Sequence, residues 1–331
     1  MLVTGAAGFI GCNFVRHILQ NNTDIEVVSY DKLTYAGREE NLQDLPNAEQ
    51  HNFVRGDICD EELVAKTLGD YNIDTIVHFA AESHVDRSIA NPAEFVYTNV
   101  LGTFNLLDSA RKFWFGKLQL TSDNCRFHHV STDEVYGQLA MTDSAFSETT
   151  PYDPSSPYSA SKAASDHFVR AYGRTYGLPV TLSNCSNNYG PYQHEEKLIP
   201  VVVKSCLDRH AIPVYGNGSN IRDWLYVEDH CRAIYVIVRR GNVGDTYNVG
   251  GKCEMDNLTL VKMICDIMDK KRPIDIPHSD LINFVKDRPG HDWRYAIDNS
   301  KIQTQLNWRP QHDLRSGLEK TVNYYLDLYS C

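Results

Sequence analysis

No Cys-x-x-Cys occurs in this chain, although it holds nine cysteines in 331 residues. Their odd number and scattered spacing argue against a disulfide framework or a zinc site, and for reduced thiols in a cytoplasmic protein. The 13 histidines form no His-x-x-x-His pair, so no metal site is expected. Basic residues are in deficit: 32 Lys and Arg against 43 Asp and Glu give a net charge of −11. So acidic a chain is a poor match for nucleic acid or an anionic membrane. No apolar run nears the roughly 18 residues of a membrane span. The start, Met1-Leu2-Val3-Thr4-Gly5, has no basic, signal-like block. Internal repeats and low-complexity linkers are missing too.

What is present is core-forming material, 42% hydrophobic against 23% charged, in a length that suits two domains or one large one. Short β-rich runs at Met1–Thr4, Ile25–Tyr30, His51–Arg55, Thr75–Phe79, Arg126–Val130 and Val180–Asn184 alternate with helical patterns. The helices are expected at Ile10–Gln20, Glu61–Leu68, Ala93–Phe113 and Pro157–Tyr176. Such alternation predicts an α/β fold, a doubly wound parallel sheet of Rossmann type. The helix at 157–176 has clear ends, with Ser156 to cap it, Pro157 in its first turn, and Gly177 and Pro179 to stop it. From about 183 the pattern loosens into Asn, Pro, Gly and Tyr, with one helix near Leu198–Asp208 and another at Leu258–Asp269. The expected division is a dinucleotide-binding domain of residues 1–182 plus a returning segment near 221–249. A smaller, discontinuous α+β domain of residues 183–220 and 250–331 would sit over its carboxyl edge.

Thr4-Gly5-Ala6-Ala7-Gly8-Phe9-Ile10-Gly11 spaces three glycines at intervals of three between a strand and a helix. Glycine allows the tight turn and the approach of backbone N–H groups to a pyrophosphate at the helix N-terminus. Asp31, twenty residues on at the end of the second strand, suits the ribose 2′-OH of NAD and disfavours NADP. Lys32 beside it blurs that preference. A structural glycine turn without a cofactor is the plainer alternative. Asp57 and Ile58, after the third strand, are placed to cover the adenine.

Tyr158 and Lys162 stand at i and i+4 on the same predicted helix and so share a face. An ammonium beside a phenol lowers the phenol's pKa, and such a Tyr can take a proton from an alcohol as hydride leaves its carbon. Asp133 and Glu134 stand side by side where the strand Arg126–Val130 gives out. Adjacent carboxylates repel and their burial costs free energy, so the pair asks for a chemical use.

The glycine loop together with Tyr-x-x-x-Lys resembles the extended short-chain dehydrogenase/reductase superfamily, which acts largely on nucleotide sugars. Ser131–Gly137, Tyr158–Lys162, Asn184–Pro191, Arg222-Asp223-Trp224 and Asp287–Asp292 are similar to its dTDP-glucose 4,6-dehydratase branch, nearly end to end. The resemblance implies tightly bound NAD, dTDP-glucose as substrate and a homodimer joined by the helices around 93–113 and 157–176. It implies Glu134 as base at C5 of the hexose, Asp133 as acid at C6, and Thr132 beside Tyr158 at the C4 oxygen. All three reach one substrate only if the strand ends by about Ser131. The implied cofactor contacts are Gly5, Gly8, Phe9, Ile10, Gly11, Asp31, Lys32, Thr34, Asp57, Ile58, Ala80, Ala81, Ser83, Thr98, Tyr158, Lys162 and Asn188. For the sugar nucleotide they are Ser83, His84, Thr132, Asn187, Lys197, Leu198, Pro213, Tyr215, Arg222, Asn257, Arg288 and His291. Departures from the family pattern are Ala6 in the glycine loop and Gln193-His194-Glu195-Glu196-Lys197, which puts the position of Lys197 in question. Left open are a UDP-glucose 4,6-dehydratase, a nucleotide-sugar 4-epimerase and a non-catalytic dinucleotide-binding regulator.

Overall fold

The computed structural model describes residues 1–287 and 291–329. The strands in chain order are β1 Leu2–Thr4, β2 Val27–Asp31, β3 His51–Arg55, β4 Thr75–His78, β5 Arg126–Thr132 and β6 Val180–Cys185. They continue with β7 Asn187–Tyr189, β8 Ile212–Tyr215, β9 Ile221–Tyr226, β10 Thr246–Val249, β11 Glu254–Asp256 and β12 Ile282–Val285. Seven form one parallel sheet in the order β10-β6-β5-β4-β1-β2-β3. Its inner strands are buried on both faces, as a helix-covered parallel sheet requires, although β5 and β6 carry buried His, Ser, Thr and Asn among their apolar residues. The order reverses between β1 and β4, which opens a crevice at their carboxyl ends.

The six strands and the helix Pro157–Tyr176 lie where the pattern puts them. Ser156 and Ser159 form a capping box, and Gly177 closes the helix in the left-handed conformation at φ 68°. Around 93–113 the expected single helix is broken. It runs as Pro92–Phe95, a wide π turn at Val96–Gly102, Thr103–Arg111 and a second π turn at Lys112–Lys117. The hydroxyls of Thr103 and Ser165 both donate to the Asn99 carbonyl at 2.6 Å, which draws it out of the regular ladder.

The return of the chain also differs. Ile221–Tyr226 does not rejoin the large sheet; it pairs with β7 and β11 in a three-stranded sheet. The Asp223 carboxylate fixes that arrangement by accepting the N–H groups of Gly251 and Cys253. The return begins with the helix Val227–Arg240, packed on Phe9–Asn21, and ends in β10. Ile302, Leu306 and Trp308, expected in the smaller unit, pack on β10 and this helix. A second core is built from Leu198–Asp208, Asn257–Lys271 and Leu314–Leu328.

Candidate active site

The crevice is a cavity of about 390 Å³ running from the glycine loop to the end of β5. Gly5 takes φ +67°, and a Cβ there would meet the Ala80 nitrogen at 2.6 Å. At Gly11 a Cβ would stand 2.2 Å from the Gly5 carbonyl oxygen, so helix and loop close on each other only through glycine. Ala6 is not among the residues with positive φ and is buried, so the extra methyl is accommodated. No side chain caps Phe9–Asn21, which leaves its first N–H groups directed at the cavity wall. The Asp31 carboxylate is aimed by two backbone donors, Ala7 at 2.9 Å and Leu33 at 2.8 Å. Burial pushes its pKa up. Every cofactor contact implied by the resemblance lines this one cavity, from Gly5, Asp31 and Asp57 to Ala80, Thr98, Lys162 and Asn188. The loop, the uncapped helix and the fixed acid fit a dinucleotide.

At the other end, β5 runs through Thr132, two residues past the expected end at Val130 and one past the Ser131 that the shared-substrate condition allowed, and Asp133–Tyr136 turns at once into a 3-10 helix. The Thr132 hydroxyl accepts the Glu134 N–H at 3.3 Å and so caps that turn. The break brings Thr132, Asp133 and Glu134 onto one wall with Tyr158. Asp133 is 2% exposed, and its Oδ2 has no hydrogen-bond partner. Burial first, then the charges of Glu134 and Asp223, push its carboxyl well above the ordinary range, so it is held as the neutral acid. Burial outweighs the like charge of the neighbouring carboxylate.

Tyr158 differs from expectation. Its phenol is pushed well up, by burial first and then by Glu134, with its contact to Thr132 acting the other way. Lys162 does not offset this, because its ammonium donates to the Val130 carbonyl at 2.9 Å and faces His129 Nε2 at 3.4 Å.

The sugar-nucleotide set divides. Ser83, Thr132, Asn187 and Lys197 line the cavity. His84 is outside its lining, at the start of the helix Val85–Ala90, with Nε2 3.6 Å from Glu196. Leu198 packs against the second core, Pro213 and Tyr215 lie on β8, and Asn257 opens the helix after β11. Arg222 is buried, donates to the carbonyls of Ile221 and Asp292 at 2.8 and 2.9 Å, and lies over Tyr295. The His291 imidazole is 2.7 Å from Asp287. Leu198, Pro213, Tyr215, Arg222, Asn257 and His291 do not line the cavity, and Arg288 lies outside the described residues.

Tyr35, Gly37 and Glu82 line it without having been singled out, and His194 and Glu196, named only as part of a departure from the family pattern, line it too. The Tyr35 ring lies between the Arg87 guanidinium, 3.5 Å away, and His194. Glu196 reaches both His84 and Arg87. Gly37 was readable, since a glycine six residues past a ribose acid leaves room for that acid; a Cβ there would meet Asp31 Oδ1 at 2.7 Å.

A family model described as GDP-mannose 4,6 dehydratase matches residues 2–321. The chain belongs to that family. A dTDP-glucose 4,6-dehydratase of Escherichia coli is 53% identical over 98% of this chain and 92% of its own. One from Neisseria meningitidis is 53% identical over 99% and 93%. Among solved structures, a dTDP-glucose 4,6-dehydratase of Streptomyces venezuelae with NAD bound superposes at a TM-score of 0.90. It is 44% identical over 99% of this 4,6-dehydratase-family chain and 97% of its own. A UDP-glucose 4-epimerase of Thermotoga maritima superposes at 0.87 with 27% identity over 99% of both. Fold alone therefore does not separate dehydration from epimerisation.

Proposed function

We propose that this protein is an NAD-dependent dTDP-glucose 4,6-dehydratase, a hydro-lyase forming dTDP-4-keto-6-deoxyglucose and water. The observation that carries it is the pairing of a buried, neutral Asp133 with Glu134 on the wall that holds Tyr158. Epimerisation at C4 needs the tyrosine but has no use for a second acid and base. Identity to curated dTDP-glucose 4,6-dehydratases over nearly the whole chain supports the same reading.

The glycine loop, the start of Phe9–Asn21 and Asp31 would hold NAD. When bound, NAD supplies a hydride acceptor that later serves as donor, and its cationic oxidised ring opposes the upward push on Tyr158. Tyr158 takes the proton of the C4 hydroxyl, with Thr132 hydrogen-bonded to the same oxygen. The C4 carbonyl acidifies the C5 proton, which Glu134 removes. Asp133 gives its proton to the departing C6 hydroxyl, which leaves as water. Glu134 then returns a proton to C5.

The finer assignments are proposals of the same kind. Asn187 and Lys197 hold the diphosphate region at the cavity, and Arg222, Arg288 and His291 serve the same phosphates. A homodimer is proposed from Val96, Tyr97, Leu101, Phe104 and Phe168, exposed apolar side chains on the two helical segments named for it. The eight described cysteines are free thiols, and no described helix is long and apolar enough to cross a membrane. We assign the protein to the cytoplasm. Turnover of dTDP-glucose against UDP-glucose tests the nucleotide assignment: at least tenfold higher kcat/KM for dTDP-glucose is expected, and equal values would overturn it.

A further inference from the structure

Tyr158, Lys162, Asp166 and Arg170 stand at every fourth position along the inner face of Pro157–Tyr176. The first two face the cavity; Asp166 continues the row against β5, and Arg170 reaches Tyr152 and Thr246 on β10. Asp166 is fully buried, yet one of its oxygens, Oδ2, has three donors. They are the Ser131 hydroxyl at 3.0 Å, the Tyr152 hydroxyl at 2.8 Å and Asn184 Nδ2 at 3.3 Å. The other oxygen, Oδ1, faces His129 Nε2 at 3.3 Å, and that same nitrogen is 3.4 Å from Lys162 Nζ. Lys162 itself is 4% exposed.

A buried ammonium without an opposite charge is costly and loses its proton. The groups around this ammonium are His129 on β5, His78 on β4 with its ring 5.1 Å from that of His129, Cys185 on β6 and Asp166, which in turn has Tyr152 and Arg170 beside it. Burial holds both imidazoles below their usual range and the Cys185 thiol above its own, so they are neutral near pH 7. Among these groups Asp166 alone is anionic. Burial would raise its pKa, but His129, Lys162 and Arg170 together keep it below the ordinary carboxylate value.

We propose that Asp166, which lies behind the His129 ring as seen from the Lys162 ammonium, is the positioning residue for Lys162, the counter-charge that keeps its ammonium protonated at the inner end of the cavity. The chemistry of the site does not assign this role, and the inference rests on the dehydratase reading above.

The test is Asp166→Asn, which keeps the shape and an oxygen acceptor while removing the charge. Burial already draws the Lys162 ammonium down to about 8, with Asp166 opposing. Without Asp166 the basic limb of the kcat profile is expected to move to lower pH by about one unit or more, with KM for dTDP-glucose changed less than about twofold. Asp166→Glu should restore the wild-type profile. A second readout needs no turnover. Below pH 8 the variant holds a neutral lysine where the wild type holds a proton. Its melting temperature relative to wild type should therefore rise as the pH rises towards 8.

A uniform loss of kcat with an unshifted limb and a pH-independent loss of melting temperature would make Asp166 merely structural. If Asp166→Asn does not fold, Arg170→Gln replaces it. Loss of that cation should move the limb to higher pH, and an unmoved limb overturns the proposal. A wild type inactive on dTDP-glucose would defeat the underlying reading instead, and the melting curves would still decide the role of Asp166.

Discussion

Lys32 Nζ lies 2.6 Å from Asp57 Oδ2 at the rim of the cavity. The contact holds Asp57 below its ordinary pKa against the upward pull of burial. It also answers the question Lys32 raised, because its charge is engaged by Asp57 and Asp31 faces the ribose position unopposed. Such a half-exposed pair is worth about 0–1 kcal/mol. Asp57→Ala is therefore expected to raise NADP use relative to NAD by no more than about fivefold. Asp31→Ala should raise it by about tenfold or more. The check is the ratio of kcat/KM in apoprotein reconstituted with each dinucleotide.

Glu134→Gln keeps the size of the side chain and removes the base. It should still form NADH from dTDP-glucose in a single turnover while dehydration falls by about 10²–10⁴-fold. Stopped-flow absorbance with product mass analysis separates the two. Full dehydration in the variant would remove Glu134 from its role. Tyr158→Phe should lose the NADH signal as well.

Asp133 carries a stability cost. Its folded pKa is raised above the ordinary 3.8, so the folded state holds a proton that the unfolded chain gives up. The stability this contributes is full below about pH 3.8 and is lost as the pH rises through the raised value. Asp133→Asn should therefore melt higher than wild type near pH 7, show no gain near pH 3.8, and be defective in dehydration. A variant that melts lower than wild type at pH 7 would contradict the neutral, unpartnered acid.

The proposed dimer face is open to a direct check. Leu101→Glu with Phe104→Glu should shift the mass seen by light scattering from two chains to one. An unchanged dimer would place the interface elsewhere.

Legibility followed the distance over which each feature is encoded. The glycine loop with Asp31, and Tyr158 with Lys162, depend on neighbours along one strand–helix unit, so spacing revealed them and the cavity gathers them. The end of β5 was readable to within two residues because the Thr132 cap is local. The π turn at Val96–Gly102 was not, since the Ser165 hydroxyl that bends it comes from another helix. Pro213, Tyr215 and Asn257 were placed by resemblance only, and their relation to the cavity depends on how the second core packs. Asp166 was hidden for a similar reason. Its fourth-residue spacing from Lys162 is plain in the sequence, but only burial against His129 gives the spacing a meaning.

The most direct measurement is to incubate the purified protein with dTDP-glucose in deuterium oxide and follow the sugar nucleotide by mass spectrometry and chromatography, first without and then with added NAD. The account predicts a product lighter by one water, with one deuterium at C5 and no net NADH. A product of unchanged mass and inverted C4, or no conversion in either arm, would contradict it.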